Sequence, residues 1–231
     1  MKLKNKIVGI VVVLATIIFV GGVKPLVGLS NHKDAYISKT SANTNTKSSK
    51  YLMLVNKKNP LALDYEPENL VKPNVEFLSS TSEKSRQMDE TAAKALEELF
   101  QGAKEENIIL LGSSAYRSYR SQVRVLQDEI SSNGVDYANQ YVAKPGKSEH
   151  QSGLAIDVTN EARCFDKTSP EAKWLENNAY RFGFILRYLE GKEDITGYNY
   201  EPWHIRYVGK DVAKDIYERN ITLEEYLNDM V

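Results

Sequence analysis

Four largely apolar segments of only four or five residues, Ile108 to Leu111, Leu154 to Val158, Phe184 to Tyr188 and His204 to Val208, set the strongest limit on the architecture. Runs this short, each beside a glycine, read as buried strands, and so few of them make only a small sheet. The stretches between them carry the three- and four-residue spacing of amphipathic helices. Met88, Ala92, Leu96, Leu99 and Phe100 predict a helix from about Ser85 to Ala103. Val123, Leu126 and Ile130 predict one from Ser121 to Ser132, with these side chains inward and Gly134 as its stop. Ser169-Pro170-Glu171 combines a cap, a proline at the first helical position and an acid in the first turn, and predicts a helix that ends at Gly183. Another is expected from about Lys210 to Arg219, and Thr222 with Glu225 opens a last one through a capping box. The pattern is α+β: a small, mainly antiparallel sheet with helices grouped before and after it.

The first residues differ in kind. Lys2, Lys4 and Lys6 precede 17 uncharged residues from Ile7 to Val23, and Lys24 closes them. Such a segment exports a chain. Its length and the lack of a small-x-small site after it favour an uncleaved membrane anchor over residues 1–29, with the rest of the chain on the outer face. Secretion after cleavage is the alternative. Residues 30–50 are rich in Ser, Thr, Asn and Lys and read as a solvated linker, in which His32 has no catalytic role. The folded domain is then 51–231, and three prolines between Tyr51 and Pro73 make its first part an extended arm.

Composition removes several classes of function. With 42% hydrophobic and 26% charged residues the chain is that of an ordinary globular domain. Thirty basic against 31 acidic residues leave a formal charge of -1, so nucleic acid is not an expected partner. One cysteine, Cys164, excludes an intrachain disulfide and a thiolate zinc cluster, and is expected to be a small packed side chain. A monomer is expected.

The chemistry gathers in two segments. Ser148 to Asp157 offers a histidine, His150, and a carboxylate on the strand after it; Glu201-Pro202-Trp203-His204 offers another of each. Pro202 keeps Glu201 out of helical geometry, which excludes a helical ligand pair. A hydrolytic zinc site needs three protein ligands and an open position, and two histidines with one carboxylate meet that count. One carboxylate is left over, and such a site also needs a base beside the metal that does not ligate it. Either segment alone is weak; together they point to a metal hydrolase. A serine hydrolase is disfavoured because no G-x-S-x-G or S-x-x-K motif lies near a histidine.

The strings SSAYRSYRSQ, KPGKSEHQSGLAIDV and GYNYEPWHIRYVG resemble the three blocks of the VanY-like D-alanyl-D-alanine carboxypeptidases, zinc peptidases that share a fold with hedgehog signalling domains. The likeness runs from about Tyr51 to Leu227. It implies that His150, Asp157 and His204 hold zinc and that Glu201 is the base. It further implies that Arg117 acts in catalysis and substrate binding, on the terminal carboxylate or the oxyanion, with Gln122 and Ser148 as polar substrate-pocket residues. Arg120 and Arg124 remain solvated helix charges. Ala115 and Leu189 depart from the usual glycine and proline of the family, away from any proposed ligand. The function so implied is removal of the C-terminal D-alanine from peptidoglycan stem peptides at the outer face of the cell membrane. An L,D-carboxypeptidase acting on the tetrapeptide is the enzymatic alternative. A wall-binding or signalling module that keeps zinc without turnover is the other, and the presence of Glu201 speaks against it.

Overall fold

The computed structural model describes residues 50–230, so the expected anchor at 1–29 and nearly all of the expected linker lie outside them. Among the described residues no helix is long and apolar enough to cross a membrane. After an irregular arm, β1 (Leu70–Val71) pairs antiparallel with β2 (Met88–Asp89), and α1 (Glu90–Glu105) follows directly. Then come β3 (Leu111–Ser114), α2 (Tyr119–Asn133), α3 (Val135–Tyr141) and β4 (Ala155–Thr159). The chain continues through α4 (Pro170–Asn178), β5 (Phe184–Leu186), α5 (Glu193–Thr196), β6 (His204–Tyr207), α6 (Lys210–Arg219) and α7 (Leu223–Asn228).

The expected small antiparallel sheet is present, in the order β3-β4-β6-β5 with every neighbouring pair antiparallel. Helices stand before it (α1) and after it (α6 and α7) as expected, but also within it: α2 and α3 connect the neighbouring β3 and β4, α4 connects β4 to the non-adjacent β5, and α5 connects β5 to β6.

Helix α1 starts later than its apolar spacing suggests. Asp89 accepts hydrogen bonds from the N–H groups of Thr91 and Ala92 and so caps the helix there. Met88 lies on β2, paired with Val71, and its side chain is buried in the same core as Ala92 and Leu96. The face of Ala92, Leu96, Leu99 and Ala103 packs in one core with Ile156, Val158 and Ile205 of the sheet. A second core joins Ile185 and Val208 to Val212, Ile216, Leu223 and Tyr226. Helix α7 opens with the expected Thr222–Glu225 capping box.

Three further expectations need correction. The first strand runs from Leu111 to Ser114 and not from Ile108 to Leu111: its ladder with β4 starts at the Leu111–Thr159 pair, and Ile109 is 43% exposed. Gly112 belongs inside it because the Phe77 ring lies where a β-carbon would stand. In α2 the buried side chain is Gln122, whereas Val123 and Leu126 are half-buried and Ile130 is exposed. That helix packs against the short α3, so its apolar stripe meets only a small partner. Cys164 is exposed, in a loop whose neighbours 161–163 are exposed as well.

Candidate metal centre

Antiparallel pairing builds the site. Asp157 on β4 stands opposite His204, the first residue of β6, while Ser114 at the end of β3 pairs with Asp157 from the other side. His150 lies on a single 3₁₀ turn, Glu149–Ser152, rather than in open loop. Gly153 ends that turn at φ +71°, and a β-carbon there would come 2.9 Å from Leu70, so glycine satisfies both the backbone and the space. The turn thereby directs His150 over the start of β4.

The structure brings His150, Asp157 and His204 together, with one potential ligand atom of each within 4.8 Å of the others. Asp157 Oδ2 lies 3.2 Å from His150 Nε2, and Asp157 Oδ1 lies 3.0 Å from His204 Nδ1. The outward nitrogens decide whether this set suits a cation. His150 Nδ1 lies 2.7 Å from the Ala115 carbonyl, which only an N–H can favour, so Nε2 presents its lone pair inward. His204 Nε2 faces Glu149 Oε2 at 3.6 Å, and both atoms are buried with no other partner. A proton on Nε2 serves that carboxylate and leaves Nδ1 for a metal. Two imidazoles and a carboxylate oriented in this way fit a zinc site with an open fourth position.

Charge balance agrees. Burial opposes ionisation of Asp157, yet the two histidines hold its carboxyl well below the usual range. Burial also works against protonated His204, but its bonds to Asp157 and Glu149 raise it to about 9. His150 is lowered, first by burial.

Glu201 sits beside the triad without being part of it. Its Oε2 is 3.8 Å from His204 Nδ1, and the residue is 5% exposed. Burial, helped by Asp157, pushes its carboxyl up to about 8. Arg117 is held by three neighbours: Nη1 donates to Gln122 Oε1 at 3.1 Å, Nη2 donates to Ser114 Oγ at 2.9 Å, and Asp157 Oδ2 lies 3.5 Å away. Gln122 donates onward to the Ala143 carbonyl at 2.8 Å. Arg117, Gln122, Ser148, Glu201 and Trp203 line one small cavity with the three candidate ligands. Every site residue expected from the sequence thus meets in one place. Arg120 and Arg124 are exposed, as expected.

The support beneath the site is not among the residues expected from the sequence. Arg187 donates to Glu149 Oε1 at 2.8 Å and forks onto both oxygens of Glu224 at 2.9 and 2.7 Å. Arg206 donates to Glu149 Oε1 at 2.7 Å and to the carbonyls of Tyr51 and Met53 at 2.9 and 2.8 Å. Both arginines are completely buried, and burial of Glu149 is outweighed by their charges, which hold its carboxyl far below the usual range. The available signal was an arginine inside each of two apolar strand segments, where a lone charge requires a buried partner.

A model of the VanY D-alanyl-D-alanine carboxypeptidase family matches residues 85–210. The YodJ protein of Bacillus subtilis (strain 168) is 46% identical over 180 residues, covering 76% of this chain, and the chain spans 66% of that protein's length. The solved LdcB LD-carboxypeptidase superposes with a TM-score of 0.71 at 45% identity, over 77% of this chain and 86% of LdcB. A mutant of the vancomycin-resistance D,D-pentapeptidase VanY, solved in complex with Zn(II), gives a TM-score of 0.65 at 34% identity, over 78% of this chain and 99% of that one.

Proposed function

Because the chain belongs to the VanY D-alanyl-D-alanine carboxypeptidase family, we propose that it is a zinc carboxypeptidase that removes the C-terminal D-alanine from peptidoglycan stem peptides. The observation that carries this reading is the cross-strand Asp157–His204 pair with His150 above it, each imidazole offering an inward nitrogen. His150, Asp157 and His204 are the ligands. Zinc held there supplies Lewis acidity to a water and to the scissile carbonyl.

The remaining steps belong to side chains. Glu201, close but not ligating, takes a proton from the attacking water and returns it to the leaving amine. Arg117, fixed by Gln122 and Ser114, presents a planar fork of donors to the terminal carboxylate of the peptide or to the developing oxyanion. Gln122 and Ser148 complete the polar wall. The lysine-flanked apolar stretch from Ile7 to Val23 supports work on the outer face of the membrane, with residues 30–50 as tether.

A second reading, L,D-carboxypeptidase, is favoured by one observation: LdcB is 45% identical against 34% for the VanY mutant. Defined pentapeptide and tetrapeptide stems, as free acids and as C-terminal amides, separate the readings by mass spectrometry of the products. The D,D reading expects loss of one alanine from the free pentapeptide and an intact tetrapeptide. Cleavage of the tetrapeptide alone would establish the L,D reading. Equal cleavage of acids and amides would overturn both, since a carboxypeptidase that pairs a desolvated guanidinium with the terminal carboxylate loses that pairing in an amide.

A further inference from the structure

The loop that leads into the Ser148 to Asp157 segment carries Lys144 and Lys147, and the N-terminal arm brings Lys57 against it. Arm and loop are tied together. The Leu61 N–H donates to the Gly146 carbonyl at 2.7 Å, and Lys147 Nζ donates to the Lys57 carbonyl at 2.6 Å. Lys57 Nζ donates to the Asn139 carbonyl at 3.2 Å and lies 4.4 Å from the centre of the Tyr198 ring. With Asn139, Val142 and Tyr198, the three lysines line a cavity of ≈ 390 Å³. Val142 and Tyr198 also line the cavity over the candidate metal residues, so the two spaces share a wall.

The positive charge here is unbalanced. Elsewhere on the domain Lys72, Lys94, Lys167 and Lys210 each have a carboxylate oxygen within 3.1 Å, while Lys58, Lys104 and Lys173 have none within 4.0 Å but do not converge on one cavity with other lysines. Among the described residues, no carboxylate lies within 4.0 Å of the amines of Lys57, Lys144 or Lys147. Burial, and then the charge of Lys144, pushes the Lys57 amine below its usual range. Tyr198, buried at 3% exposure, lines both cavities, and its ring carries the Lys57 amine on the lysine side.

We infer that the three-lysine cavity is an anion subsite that takes a carboxylate carried by the peptide substrate upstream of the cleaved bond. The inference rests on the carboxypeptidase reading and extends it to specificity. The two cavities share Val142 and Tyr198 as a wall, which favours an anion carried by the same ligand that enters the catalytic cavity. Ammonium groups on flexible stems recognise charge without demanding one planar geometry, which suits a side-chain carboxylate.

The test compares two peptides of equal length and identical C-terminal residues, one with a carboxylate upstream of the cleaved bond and one with the matching carboxamide. Wild-type enzyme is expected to favour the acid by about five- to twentyfold in kcat/KM, mainly through KM, with the ratio shrinking as salt rises. In the triple variant Lys57→Gln, Lys144→Gln, Lys147→Gln the ratio should fall to about one. Lys144→Gln alone, at an exposed side chain, should lower it part of the way and covers the case in which the triple variant does not fold. A wild-type ratio near one, or a ratio that survives the substitutions, overturns the subsite. If the wild type cleaves neither peptide, the carboxypeptidase reading fails on its own. Equilibrium binding of the same two peptides then decides the subsite: tighter binding of the acid, lost in the variant, supports it, and equal binding overturns it.

Discussion

Glu201→Gln is expected to lower turnover of a stem peptide by about 10²–10⁴-fold or more while the protein keeps its zinc. The geometry separates the two effects. His150 and His204 contact Asp157 at 3.2 and 3.0 Å, but Glu201 stands 3.8 Å from His204 and outside the set of convergent ligand atoms. Glutamine keeps the shape and polarity of the side chain and removes only its capacity to carry the proton. Metal analysis of the variant and its rate of alanine release check this together, with kcat reduced and KM little changed. A variant that lost zinc along with activity would make Glu201 a ligand, and the role given to Asp157 would then fall.

Arg187→Ala is expected to destabilise the domain by about 3–5 kcal/mol, the usual consequence of leaving a buried charge without its partner. The arginine is completely buried and joins Glu149 to Glu224, so its loss takes the cationic partner from Glu224 and one of two from Glu149. Arg206 still reaches Glu149, and Asn56 still donates to Glu224 at 3.0 Å, but neither replaces the fork on Glu224. Lys167→Ala is the control: it breaks an exposed pair with Glu190 and should change stability by less than about 1 kcal/mol. Urea unfolding of both variants reads the difference. The effect should reach the site as well, because Glu149 is the group that His204 Nε2 faces. An Arg187→Ala protein as stable as the wild type would show that the cluster does not brace the metal-bearing strands.

The site was more legible in the sequence than the fold around it, for a physical reason. His150, Asp157, Glu201 and His204 occur as two short segments whose residue types are unusual together, and one strand pairing suffices to join them. Element boundaries depend on contacts that spacing does not encode. Met88 fits the apolar period of α1 yet belongs to β2, because the Asp89 cap beside it ends the extended chain. Ile109 looks like core and is exposed, since the ladder that would bury it begins two residues later at Leu111. Helix α3 was missed because VDYANQY has too little apolar periodicity to announce a helix; Gly134 both stops α2 and starts it. The roles of the buried arginines are not legible because their carboxylate partners lie 37 to 57 residues away along the chain, and a charge in a strand segment discloses a partner's existence but not its position.

The most direct test of the site is a zinc titration of the metal-free protein, followed by release of alanine from a defined pentapeptide. Two imidazoles and one carboxylate converging on one point should take up about one zinc per chain, and activity should rise in proportion and level off at that stoichiometry. The double substitution His150→Ala, His204→Ala should abolish both uptake and activity. Full activity in a rigorously metal-free preparation, or zinc bound as before once both histidines are gone, would contradict a metal centre at His150, Asp157 and His204.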